Sequence, residues 1–114
     1  MKQAKPKETT EKIDPKFAPI VNAFAGHNDV TTGKLMASYG LKVNRRIFAM
    51  FSRGRFVAKL PKNRVDELVS QGKGERFDPG HGRLMKEWVQ MESGNAEWLR
   101  LAKEAYEFVK RGKG

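Results

Sequence analysis

The chain has 114 residues, with 23 Lys and Arg against 13 Asp and Glu, a formal charge of +10 and no cysteine. A chain this long suits one domain with one modest core. Without cysteine there is no disulfide scaffold, thiolate metal site or cysteine nucleophile. No apolar run approaches the ~20 residues that span a bilayer, so a cytoplasmic protein is expected.

Residues 1–14 are polar, carry four lysines against Glu8, Glu11 and Asp14, and lack apolar periodicity. They predict a disordered basic tail, followed by a single domain over 15–112. Phe17, Ile20, Val21 and Phe24 fall at i, i+3, i+4 and i+7, one face of a helix that Asp14-Pro15 can cap. Pro19 suits a first turn better than an interior, which sets the start near Ala18, and Gly26 ends the segment.

Three strands follow as a meander. Leu35, Ala37, Tyr39, Leu41 and Val43 alternate with Met36, Ser38, Gly40 and Lys42, the period of a half-buried strand. Ile47–Phe51 reads as a central strand, and Arg55–Leu60 alternates again. A two-residue loop at Arg53-Gly54 pairs Phe51 with Phe56 and Ala49 with Ala58. A three-residue loop, Asn44 to Arg46, then pairs Leu41 with Ala49 and Val43 with Ile47. In this register Tyr39, Leu41, Val43, Ile47, Ala49, Phe51, Phe56, Ala58 and Leu60 share the core face, and a slip of one residue reverses a whole strand. The other face holds Lys42, Arg46, Phe48, Met50, Arg55, Val57 and Lys59.

Pro61–Gln71 predicts a short helix with Val65, Leu68 and Val69 inward. A glycine-rich connection over 72–82 follows, with Phe77 as its core anchor. Leu84–Met91 predicts a strand. Ala96 to about Arg111 predicts the last helix, burying Trp98, Leu99, Ala102, Ala105, Tyr106 and Val109. Trp88, Trp98 and Tyr106 are all expected in the core. The order gives an α+β two-layer sandwich: an antiparallel sheet of about five strands with three helices on one side.

Between Val30 and Val65 lie Lys34, Lys42, Arg45, Arg46, Arg53, Arg55, Lys59, Lys62 and Arg64, and no acid. A focused cationic region attracts polyanions. Phe48 among Arg46, Arg55 and Lys59 suits stacking on an unpaired base beside phosphate contacts. The candidate partner surface is Lys42, Arg46, Phe48, Arg53, Arg55, Lys59, Lys62 and Arg64. A solvated face and a homodimer interface around Phe48, Met50 and Val57 are the alternatives.

The run Tyr39-Gly40-Leu41-Lys42-Val43-Asn44, then Ile47-Phe48-Ala49-Met50 and Arg55-Phe56-Val57-Ala58-Lys59-Leu60-Pro61, resembles the N-terminal domain of TfoX/Sxy competence regulators and the related MmcQ/YjbR-like proteins. The stretch Gly74-Glu75-Arg76-Phe77-Asp78-Pro79-Gly80-His81-Gly82-Arg83, with Met85-Lys86-Glu87-Trp88-Val89, resembles a stand-alone TfoX-type subgroup. The resemblance spans roughly 16–110. It implies a fold like that of type III secretion chaperones and a regulatory, non-enzymatic role, with DNA among the partners. The sequence departs from the pattern at Arg45, where such domains often carry glycine.

A second candidate is an anion loop at Arg76, Asp78, His81 and Arg83, where glycines let backbone N–H groups approach an anion. Asp78 and His81 would form its only acid–base pair. The simpler expectation is a turn that seats Phe77. His27 and His81 have no carboxylate at metal-ligand spacing, so no metal or cofactor is expected. The sequence therefore predicts a non-enzymatic, homodimeric interaction module with nucleic acid or an acidic protein as partner. A protein–protein adapter and a small anionic-ligand domain at 76–83 remain as other readings.

Overall fold

The computed structural model describes residues 14–35, 38–78, 84–92 and 95–112. Its sheet runs through β1 (Val30–Leu35), β2 (Ser38–Val43), β3 (Arg46–Ser52), β4 (Arg55–Lys59), β5 (Glu75–Phe77) and β6 (Met85–Met91). The helices are α1 (Ala18–Ala23), α2 (Lys62–Ser70) and α3 (Asn95–Lys110). The sheet has six strands in the order β1-β2-β3-β4-β6-β5. Every pairing is antiparallel. The α+β class is as expected, with a slightly larger strand count.

The extra strands lie where periodicity is weak. The segment expected as one strand from Leu35 to Val43 is divided: Leu35 ends β1, which pairs with β2 from Val30–Val43 to Leu35–Ser38, and Met36 and Ala37 lie outside the described residues. Val30-Thr31-Thr32-Gly33 carries little apolar signal because β1 is an edge strand, with Thr31 and Thr32 exposed. β5 is three residues long and forms the other edge.

α1 begins at Ala18 with Pro19 in its first turn. Asp14 organises the turn before it: its carboxylate accepts from Lys16 N–H at 2.8 Å, and its carbonyl accepts from Phe17 and Ala18 N–H at 2.9 and 3.0 Å. Phe17, Ile20, Val21 and Phe24 are all buried, as their spacing requires. On α3, Trp98, Leu101, Ala102, Ala105, Tyr106 and Val109 form the buried stripe, with Leu99 at its margin.

The β2–β3 connection corrects the expected register. The turn is the two residues Asn44-Arg45, with φ of 54° and 67°, and Val43 pairs with Arg46 and Lys42 with Ile47. A bulge between Leu41 and Lys42 then restores the expected Leu41–Ala49 pair. Phe48 is the extra residue, so Phe48 and Ala49 both lie opposite Leu41 and both are buried. Ile47 moves to the other face beside Lys42, half-buried. A continuous two-residue period cannot foresee this, because the bulge adds one residue to one strand only. The second turn is as expected, Arg53-Gly54 at φ 55° and 79°, with Phe51 opposite Phe56 and Ala49 opposite Ala58.

All three helices share one core on one side of the sheet. Phe56 stacks on Trp98 at 5.3 Å between centroids, Phe17 on Phe51 at 5.5 Å, and Phe24, Phe48 and Tyr106 meet edge-on or tilted at 5.1–5.6 Å. Such pairs add to the burial of their area. The C-terminal end of α3 is tied to the segment before β1: Tyr106 Oη donates to Asp29 Oδ2 at 2.6 Å, and Lys110 Nζ donates to Tyr106 Oη at 3.1 Å. The hydrogen bond from Tyr106 holds the Asp29 carboxyl below its usual range, and the same bond pushes the Tyr106 hydroxyl up. Among the described residues, no helix is long and apolar enough to cross a membrane.

Candidate functional site: the sheet face without helices

Residues directly opposite in antiparallel strands point to the same face. One row therefore crosses the whole sheet: Gly33, Gly40, Met50, Val57, Gln90 and Glu75. None of these belongs to the core shared with the helices. Val57 is nevertheless 0% exposed and Gln90 only 9%. Gln90 meets its hydrogen-bonding need on this face, donating from Nε2 to Glu75 Oε1 at 3.2 Å. On one side of the row stand Lys42, Ile47, Lys59, Trp88 and Phe77, and on the other stands Arg55.

The expected partner surface is partly gathered here and partly dispersed. Lys42 and Lys59 are half-buried on the helix-free face. Arg55, also on this face, pairs with Glu92 at 2.9 Å. Arg53 is exposed in the β3–β4 turn, and Arg46 is exposed at the start of β3. Lys62 opens α2 and pairs with Asp66 at 2.8 Å. Arg64 points to the helix layer, where it bridges Glu104 at 2.9 Å and Glu67 at 2.8 Å. The Glu104 hydrogen bond is the main reason its guanidinium holds its proton more tightly than usual.

Phe48 corrects the expectation most plainly. It is 0% exposed, in the core against Phe24 and Tyr106, and makes no part of an open surface. The acid-free stretch 30–65 is also less cationic in space than in sequence. Acids from further along the chain, Glu87, Glu92, Asp66, Glu67 and Glu104, lie against Lys59, Arg55, Lys62 and Arg64. The more exposed pairs, Arg55–Glu92 and Lys62–Asp66, are worth about 0–1 kcal/mol, so a phosphate can compete for those cations.

The candidate anion loop divides. Arg76 turns back to Asp66, which lies below its ordinary pKa because of hydrogen bonds from Lys62 and then Arg76. Asp78 is half-buried. His81 and Arg83 lie outside the described residues.

Trp88, expected in the core, is an aromatic of the open face instead. It is half-buried, with Lys59 Nζ 5.2 Å from its ring centroid and Phe77 6.5 Å away. Phe77 is likewise half-buried on this face and is not the core anchor expected. An open depression of about 640 Å³ runs beside the indole, lined by Lys59, Lys62, Leu84, Met85, Lys86 and Glu87. Leu84 is 57% exposed. Lys86 is exposed and has no acid partner among the described residues. Strand parity carried the signal. Val89 and Met91 occupy the core face of β6, which leaves Trp88 and Gln90 to the other. No family model, curated protein or solved structure matches this chain.

Proposed function

We propose that this protein is a non-enzymatic regulatory or interaction module that holds a polyanionic macromolecule, nucleic acid first, on the sheet face that the described helices leave open. The observation that carries this reading is the position of Lys42, Arg55 and Lys59 on that face, with Lys62 and Lys86 continuing the cationic border beside Trp88. Backbone phosphates supply the matching charge, and counterion release drives the association. The TfoX-type pattern over 16–110 supports a regulatory rather than a catalytic role.

Anisotropy with a labelled 20-mer oligonucleotide tests it. Neutralising about four phosphates predicts an affinity drop of about fiftyfold between about 50 and 200 mM salt. Replacing Arg55 and Lys59 together by Gln should weaken binding and flatten the salt slope, with thermal stability nearly unchanged. No binding at low salt, or binding indifferent to salt, refutes the reading.

A second reading rests on the half-buried Ile47 and Met50, beside the buried Val57, on the same face: a two-fold homodimer that covers them. Sedimentation separates the two, because a dimer built on this face loses its contact in Met50→Glu and stays monomeric.

A further inference from the structure

Resting on the polyanion reading, we propose that the depression beside Trp88 is a base-stacking subsite, so that the protein prefers single-stranded nucleic acid to duplex. Duplex bases are stacked on each other and offer no free face, whereas an unpaired base can lie against an aromatic ring. Trp88 stands on the open face as a half-exposed indole, and the other tryptophan, Trp98, is fully buried. Lys59, Lys62 and Lys86 line the same depression together with the apolar Leu84 and Met85. Charge beside apolar surface suits a chain that alternates anionic phosphate with flat apolar base.

Charges already in place do not oppose this. The acids at the border, Glu87 and Asp66, are each engaged by cations: Glu87 by Lys59 at 3.5 Å, and Asp66 by both Lys62 and Arg76. Four cations, Lys59, Lys62, Arg76 and Lys86, therefore stand against two acids. The Lys59 ammonium over the half-buried indole is a cation–π contact, no stronger than the stacking of a base on tryptophan. A base that displaces it frees Lys59 to meet the adjoining phosphate. Phe77 beside Trp88 extends the aromatic surface toward a second base.

The full-length chain is titrated with oligothymidine and with a duplex of equal length, at the same low salt, by anisotropy and by tryptophan emission. The inference expects quenching of the accessible Trp88 by the single strand, tighter single-strand binding, and about tenfold weaker single-strand affinity in Trp88→Ala. Duplex affinity should barely move. Trp88→Phe keeps a stacking ring and should stay within about threefold of the parent protein. Lys86→Gln, at an exposed position, should weaken the single strand with no change in melting temperature, which keeps the test valid if Trp88→Ala folds poorly. Equal affinity for both forms, with tryptophan emission unmoved by the single strand, overturns the subsite while the polyanion reading stands. Failure of both forms to bind at low salt overturns the polyanion reading itself and the subsite with it.

Discussion

The two faces of β4 hold side chains of equal burial by different means. Phe56 and Ala58 are 0% exposed beneath the helix layer, and Val57 is 0% exposed on the face that none of the described helices covers. Phe56 is enclosed from above, by Trp98 stacked upon it and by Phe17. Val57 lies between its cross-strand neighbours Met50 and Gln90 within a single row. Burial therefore does not by itself identify the core: Val57 is as buried as Phe56 and Ala58 without belonging to it.

Substitutions sharpen the contrast, beginning with the largest effect. Phe56→Ala removes a ring from a closed layer and should cost about 3–5 kcal/mol in denaturant unfolding. Val57→Ala should cost about 1–2 kcal/mol, since it removes two methyl groups rather than a ring. Equal losses would mean that the open face is as tightly constrained as the core. Gly74→Ala tests the edge of the sheet. A Cβ there would sit 2.8 Å from Val89 Cγ2, 3.0 Å from the Gln90 carbonyl oxygen and 3.2 Å from Met91 Cγ. About 1–3 kcal/mol of overpacking should appear as a lower melting temperature.

The tie between α3 and the start of β1 predicts a pH effect on the helix-bearing side. Asp29 titrates below its model-peptide value of 3.8 because Tyr106 donates to its carboxylate. Between the folded and unfolded pKa values the unfolded chain binds more protons, so stability rises with pH in that interval. The contribution is complete above 3.8 and disappears as pH falls through the lower folded value. Asp29→Asn should flatten the acid limb of a stability–pH curve and leave the contribution of the open face untouched. The smallest effect concerns Tyr39, whose buried hydroxyl has no hydrogen-bond partner among the described residues. Tyr39→Phe should leave stability unchanged or raise it slightly, because it removes a desolvated polar atom without breaking a bond.

Much of the architecture was legible in the sequence because local chemistry and packing agree there. Phe17, Ile20, Val21 and Phe24 repeat with helical spacing and are all buried. Arg53-Gly54 is a turn by composition and fixes the Phe51–Phe56 pair. What escaped has physical causes. β1 is an exposed threonine-rich edge without an apolar period. The bulge at Phe48 interrupts the two-residue repeat, and it turns a supposed contact aromatic into a core residue. At the candidate site, Lys42, Arg55 and Lys59 were legible from alternation. Arg64 was not, because helix geometry and not strand parity directs it to Glu104. Trp88, an expected core aromatic, lies outward because Val89 and Met91 occupy the core side of β6.

The bulge in β3 has a mechanical meaning. It works as a vernier between the hairpin tip and the rest of the sheet: Asn44-Arg45 adopts its own tight geometry, and one surplus residue brings every later pair back into phase. The tip can thus be remodelled through its own sequence while the pairs from Leu41–Ala49 onward keep their alignment.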